Sequence, residues 1–466
     1  MLKNNLWLAY VLLVGLPLLM LIGVLQAGHG LTAPPPSASK TSQIVSALAP
    51  LDLLKLVLQI AVILLVSRIT GMLFKKIRQP QVIGEMVAGI LLGPSLLGWV
   101  APALSHTLFP ASSLGYLNAL SQVGLVLFMF LVGLSLNPKE LHGHGHAAVL
   151  TSHVSIVTPF CLGSIVALVL YPQLSSSNIT FMSFALFMGS AMSITAFPVL
   201  ARILTERNLL GSRMGTLSIA CAAVDDITGW CILAYIVMLI RAGHTAMPIW
   251  VTIGGSITYV LVMLLGVKRV LPRFEASFHK QGRLTENMIS LLIVMALASA
   301  LVTEALGIHL LFGAFLMGAI MPKNSEFIHS VIHKMESLTV TALLPLFFAY
   351  SGLRTSVNMV HGQMWLYVLL VIAVAIAGKF GGSTFAARMA GIPWRDATSL
   401  GILMNTRGLM ELIALNIGLD IGIISPTVFT MMVLMALVTT FMTSPLLEWV
   451  YPTKFMVVGG EARHVA

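Results

Sequence analysis

The sequence predicts an all-α polytopic membrane protein with about 13 core transmembrane helices in inverted repeats and one further N-terminal hydrophobic segment. Two observations set the class. The 466-residue chain is 58% hydrophobic and only 9% charged, and apolar runs long enough to cross the hydrocarbon core recur along nearly its whole length. Soluble domains carry about 25% charged residues, so a soluble composition is excluded. Lipid offers no partners to free peptide groups, so this many spans must be helical. A third observation, a glycine pattern that returns seven spans later, points to the repeats.

The apolar runs place fourteen candidate spans at roughly 6–26, 52–73, 82–99, 114–136, 147–171, 178–204, 213–241, 248–267, 285–306, 308–322, 336–354, 363–388, 396–418 and 426–450. Only Gly307 separates the ninth from the tenth. The first span follows Lys3, as a signal peptide would. Its apolar run from Leu6 to Leu25 exceeds the usual h-region of about 7–15 residues, which favours a retained helix. Residues 28–50, rich in Pro, Ser and Gly, read as an external linker. Residues 1–50 thus form an N-terminal segment with its linker, 51–452 one membrane domain, and 453–466 a short cytoplasmic tail. No regulatory nucleotide-binding domain is expected after Pro452.

The formal charge of +10 is a matter of topology. No basic cluster with interleaved aromatics suggests a nucleic-acid partner. With the N-terminus in the cytoplasm, nineteen of the 26 basic residues fall on inside segments and three, Lys40, Arg241 and Arg354, outside. That is the positive-inside pattern. The four others, Lys55, Arg68, Lys379 and Arg407, lie within spans. Cys161, Cys221 and Cys231 sit in apolar runs and read as packing residues, not as a disulfide framework or metal site.

The repeat shows in spans 3–4 and 10–11. Leu127-Phe128 precedes Gly133-Leu134 by four residues, as Leu346-Phe347 precedes Gly352-Leu353. Gly84 and Gly89 precede Pro94, as Gly313 and Gly318 precede Pro322. An offset of seven, an odd number, means that the two copies enter the membrane from opposite sides, a mark of secondary transporters.

Charges at membrane depth are functional candidates by default. Span 7 carries Asp225 and Asp226 near its midpoint, span 12 carries Lys379, and span 13 carries Arg407 and Glu411 one turn apart. Neighbouring residues on a helix point about 100° apart, so the two aspartates cannot both face one cavity squarely. The economical arrangement pairs one with Lys379 and leaves the other for a transported ion. Adjacent buried carboxylates repel one another, which favours protonating one. Such a group holds a proton or a small cation, never both, and that competition is the minimum chemistry of an antiporter. Arg407 and Glu411 fit a structural pair as well as a functional one. In span 6, Ser193, Thr195 and Pro198 interrupt an apolar helix, and Pro198 removes an amide donor. In span 13 the interruption is Asn405-Thr406-Arg407-Gly408. Broken helices in corresponding positions of two repeats mark a transport site.

The runs QVIGEMVAGILLGPSLLG (81–98), SITAFPVLARIL (193–204), Asp225-Asp226, GIHLLFGAFLMGAIMP (307–322), PLFFAYSGL (345–353) and MNTRGLMELIALNIG (404–418) resemble the monovalent cation:proton antiporter-2 family. Within it they resemble the membrane part of plant-type cation/H⁺ exchangers and their bacterial relatives. The resemblance implies two crossing broken helices, a homodimer, and elevator-like exchange of Na⁺ and/or K⁺ for protons. It implies a dimerisation part at about 52–136 and 285–354 and an ion-translocating part at about 147–241 and 363–450. Carried over, Asp226 is the ion and proton ligand, Asp225 the partner of Lys379, and Thr195 their neighbour in the unwound stretch. A gated potassium efflux pathway would share this fold. The expected setting is a bacterial inner membrane with both termini cytoplasmic, and neither a cofactor nor a metal beyond the transported cation is expected.

Other signals read more plainly. His142, His144 and His146 fall in a cytoplasmic loop and read as solvated. His309 reads as a packing residue, and Glu85, near the inner end of span 3, fits a structural or a functional role. Asn178-Ile179-Thr180 fits a glycosylation sequon. An intramembrane aspartyl protease would carry its aspartates on two helices, and no H-E-x-x-H zinc motif occurs, so an enzyme is not expected.

Overall fold

The computed structural model describes residues 10–34, 53–135, 145–176, 179–207, 209, 213–242, 249–306 and 309–451. Among them all regular structure is helical. Eleven helical stretches are long and apolar enough to cross a membrane, and three shorter apolar segments, Phe181–Ser193, Met214–Asp225 and Leu310–Ile320, fall in spans 6, 7 and 10. The 28–50 linker beyond residue 34, the His142 and His144 positions, Gly307, Asn178 of the sequon and the 453–466 tail lie outside the described residues.

The main helices, in order, are α1 (Leu16–Ala27), α2 (Leu53–Lys76), α3 (Gln81–Leu92), α4 (Ala111–Ser135), α5 (Gly145–Leu174), α6 (Phe181–Ser193), α7 (Phe197–Glu206), α8 (Arg213–Ala242), α9 (Ile249–Leu261), α10 (Glu286–Ala305), α11 (Leu310–Ala319), α12 (Ser325–Leu338), α13 (Leu344–Leu353), α14 (Met364–Ile376), α15 (Gly382–Met389), α16 (Trp394–Met404), α17 (Leu409–Asp420) and α18 (Pro426–Val450). Local chemistry sets many starts. Thr180, Thr285, Asn324 and Ser425 each accept a first-turn amide on the side chain. Pro426 stands in the first turn of α18, where no amide donor is missed, whereas Pro17 and Pro345 closely follow the π-helical turns Val11–Gly15 and Thr339–Leu343.

The closest packing falls into two sets. In one, α3 packs on α2 and α13, and α11 on α4 and α10. In the other, α5 packs on α6, α8, α14 and α15, while α18 packs on α14, α16 and α17. The N-terminal helix α1 joins the second set by lying on α5, where the Cys161 thiol donates to the Pro17 carbonyl at 2.9 Å.

Glycines allow two backbone crossings in the first set. At α3–α13, a Cβ on Gly89 would meet the Ala349 Cα at 2.6 Å, and one on Gly352 would collide with Gly89. At α4–α11, a Cβ on Gly133 would collide with the Phe315 carbonyl, and one on Gly318 with the Phe130 carbonyl. Lys323 fastens the second crossing. Its ammonium donates to the carbonyls of Gly133 (3.1 Å), Leu134 (2.9 Å) and Gly318 (3.3 Å), where cations suit helix C-terminal ends.

Prolines inside helices do a different job. A proline has no amide for the carbonyl four residues before it. Pro159 of α5 thus frees the Ser155 carbonyl, and Pro445 of α18 frees that of Phe441. Both carbonyls are taken by side chains from elsewhere, Lys379 at 2.9 Å and Gln79 at 3.1 Å.

The α4–α11 crossing leaves no space for a methyl group, so Gly133→Ala is expected to destabilise the protein by about 1–3 kcal/mol. Gly254→Ala, where a Cβ meets nothing within 4 Å, serves as control and is expected to leave stability unchanged or slightly raised. Thermal unfolding of the two detergent-solubilised variants checks this; equal midpoints would contradict it.

Candidate functional site

Two interrupted helices meet inside the second set. The first break, Ile194–Ala196, separates α6 from α7, and the second, residues 405–408, separates α16 from α17. The breaks bond to each other. The Ala196 amide donates to the Thr406 carbonyl at 3.0 Å, and the Thr195 hydroxyl to the Met404 carbonyl at 3.3 Å. Peptide groups that left their helices are therefore satisfied across the crossing, as membrane depth demands. Ser193 closes α6, whereas Pro198 lies within α7, just after the break. Asn405 and Gly408 flank the second break, and Gly408 sits close enough to α7 that a Cβ would stand 3.1 Å from Val199.

Asp225 of α8 points at this crossing and is 1% exposed. Its Oδ1 accepts the Ser152 hydroxyl at 2.9 Å. Its Oδ2 accepts the hydroxyls of Ser155 (2.8 Å) and Thr195 (2.9 Å) and the Lys379 ammonium (2.7 Å). Lys379, fully buried, also reaches the Ser155 hydroxyl at 3.0 Å, the Ser155 carbonyl at 2.9 Å and the Ser193 carbonyl at 2.6 Å. This is a buried ion pair with hydrogen bonds on both partners, the condition under which such a pair survives desolvation.

Local sequence puts the lysine there. Residues Ala377–Gly381 form a π-helical turn between α14 and α15, and such bulges re-aim side chains at functional sites. Gly378 faces Pro159, where a Cβ would stand 2.9 Å from the proline Cα. The small residue brings the turn against α5, and Pro159 leaves the Ser155 carbonyl free to receive the ammonium.

Arg407 acts on the same helix end. Its Nη1 donates to the Ala191 carbonyl (3.0 Å) and its Nη2 to that of Met192 (2.6 Å). Its backbone is held by Thr440 of α18, which accepts the Arg407 amide at 3.0 Å and donates to its carbonyl at 2.8 Å. The last carbonyls of α6, at residues 191, 192 and 193, thus each accept from a cation. They are the negative end of a half-helix dipole. Glu411 lies 3.5 Å from Arg407 Nη1, and both side chains are fully buried.

Of the residues singled out in the sequence, Ser193, Thr195, Asp225, Lys379, Asn405, Arg407, Gly408 and Glu411 gather at or beside this crossing. Asp226 follows Asp225 on α8, and its side chain, like that of Pro198, lies outside the described residues. Glu85 is buried on α3, accepting Gln81 at 3.0 Å, and His309 is buried ahead of α11. Ser152 and Ser155 were not anticipated. Their signal is present: Ser152-x-x-Ser155-x-x-x-Pro159 puts two hydroxyls about one turn apart ahead of a proline in an apolar span.

A cavity of about 220 Å³ lies near the crossing, between the two sets. It is lined by Phe128 and Ser135 of α4, Phe197 of α7, Glu336 of α12, and apolar neighbours.

Residues 60–449 match the family model described as sodium/hydrogen exchanger, transmembrane. The chain is 45% identical over 404 residues to the Na⁺/H⁺ antiporter NhaS4 of Synechocystis, covering 86% of this chain and 98% of that one. It is 39% identical over 431 residues to cation/H⁺ antiporter 17 of Arabidopsis thaliana, covering 91% of this chain. It spans 52% of that plant relative's length. The fold matches the structure of the sodium proton antiporter MjNhaP1 from Methanocaldococcus jannaschii with a TM-score of 0.58 at 14% identity, covering 87% of this chain and 99% of that one.

Removing the Lys379 charge strands Asp225 as a buried anion. Lys379→Met is expected to cost about 3–5 kcal/mol, and Asp225→Asn in the same chain to restore part of that loss. A double-mutant cycle in thermal unfolding reads the coupling; losses that simply add would show that the pair is not a unit.

Proposed function

This chain belongs to the sodium/hydrogen exchanger family, and we propose that it is a secondary active antiporter that exchanges Na⁺ and/or K⁺ for protons across a membrane by elevator-like alternating access. The observation that carries the reading is the buried Asp225–Lys379 centre beside two mutually bonded helix breaks. Asp225 already accepts four hydrogen bonds, one of them from the Lys379 ammonium that balances its charge. The ion and the proton are assigned to its neighbour Asp226, with Thr195 as a supporting residue. Because one carboxylate takes either a proton or a cation, each flow is bound to the other. Lys379 compensates charge, and its release from Asp225 when the cation arrives is the coupling step.

The two packing sets support a division of labour. The set built from α2–α4 and α10–α13 is assigned as the dimerisation part of a homodimer. The set built from α5–α8 and α14–α18 is assigned as the moving core. The glycine crossings pair span 3 with span 11 and span 4 with span 10, and a shift of seven spans exchanges these two pairs, which supports the inverted repeat. The cavity beside Phe197, the residue that follows the first break, carries Glu336 on its wall. The distribution of basic residues supports cytoplasmic termini, and a bacterial inner membrane is the proposed setting.

Reconstituted protein with an internal pH dye tests the reading. Addition of Na⁺ or K⁺ is expected to move protons the opposite way from mildly acidic to mildly alkaline pH. Asp226→Asn, which keeps size but removes titration, is expected to reduce exchange to background while the variant inserts and elutes like the wild type. Cation flux without any pH response would favour a gated efflux pathway, and near-normal exchange by Asp226→Asn would move the ion site elsewhere.

A further inference from the structure

Glu411 is a fully buried carboxylate that the cycle above leaves without a role. It stands in the first turn of α17, three residues after Gly408 of the second break. Its side chain has no exposed surface, and neither Oε1 nor Oε2 accepts a hydrogen bond. Arg407 lies 3.5 Å from Oε1, yet both its terminal nitrogens donate to the α6 carbonyls of Ala191 and Met192.

Few other charges face this group. Lys379, on the π turn, is engaged by Asp225, Ser155 and Ser193. The helices packed on α17 are α6, α13 and α18. The first has no titratable residue and the second only Tyr350. The charged residue of α18 is Glu448, two turns past the Thr440 that holds Arg407, and it is paired with Arg207. Arg354 and Asp420 pair with each other at the far end of α17.

A carboxylate stripped of water and of hydrogen bonds is far costlier than the neutral acid. We infer that Glu411 is a second proton-binding residue of the transport core, protonated while Arg407 holds the α6 carbonyls and ionised when Arg407 leaves them for its carboxylate. The proton comes from and returns to water on the side to which the core is open, and Arg407 keeps its own charge throughout. Arg407 belongs to one broken helix and the carbonyls to the other, so its choice of partner reports how the two breaks sit together. The role in transport rests on the antiporter reading, but the protonation state does not.

Infrared spectroscopy of the purified protein near neutral pH without alkali cation reads that state directly. The expected result is a protonated-carboxyl stretch that Glu411→Gln lacks and Glu411→Asp keeps at a shifted frequency. Identical wild-type and Glu411→Gln spectra overturn the inference, whether or not the protein transports. If Glu411→Gln does not fold, the comparison with Glu411→Asp decides the same question: a band that shifts supports it, and one that does not overturns it. In proteoliposomes, Glu411→Gln mimics the protonated form. It is expected to exchange cations with its half-maximal pH displaced by about one unit, tenfold in proton activity; an unmoved profile overturns the role in exchange. A wild-type protein with the band but no cation-driven dye response would fault the antiporter reading alone.

Discussion

The last turn of α6 ends in the middle of the protein, and its carbonyls have no following amide to receive. Water would satisfy such groups at a surface, and lipid cannot. Two cations do it here, Arg407 on Ala191 and Met192 and Lys379 on Ser193. Everything else at the centre follows from keeping those cations buried. Lys379 needs an anion, which is Asp225. Asp225 in turn needs hydroxyl donors, which are Ser152, Ser155 and Thr195.

Supplying that lysine takes several local irregularities at once. The π turn at 377–381 re-aims the side chain, Gly378 lets it approach α5, and Pro159 gives up the hydrogen bond that would have occupied the Ser155 carbonyl. Each costs helix stability alone, and together they build a receptor for one ammonium group. The first packing set is interlocked by contrast. Backbone crossings at glycines, with Lys323 clamped over one of them, leave little freedom for the first packing set. A centre made of breaks and hydrogen bonds thus lies beside a frame made of glycine crossings.

The charge arrangement also limits which groups can exchange partners. Asp225 and Lys379 are fully engaged, so any change there must be concerted. Arg407 and Glu411 are less evenly matched: both terminal guanidinium nitrogens are bonded, whereas Arg407 Nε and the carboxylate oxygens are not. An imbalance of that kind within one buried network is where a second arrangement lies closest in energy.

The sequence by itself determined the membrane class, the places of most spans, the two breaks and the identity of the intramembrane charges, whereas the helix Ser325–Leu338 falls mostly where the sequence reads as a connection between spans. Hydropathy and forbidden charge act residue by residue, so a linear reading captures them. Even the Pro159 and Gly378 signals stood in plain view, without any indication that they belonged to each other. Only the tertiary structure decided that Arg407 serves the α6 carbonyls while standing 3.5 Å from Glu411, that Ser152 and Ser155 complete the shell of Asp225, and that α1 lies against α5. These are pairings between groups up to 216 residues apart. Their partners are set by helix crossings and by which carbonyls a break leaves free, and no local pattern in the chain encodes either.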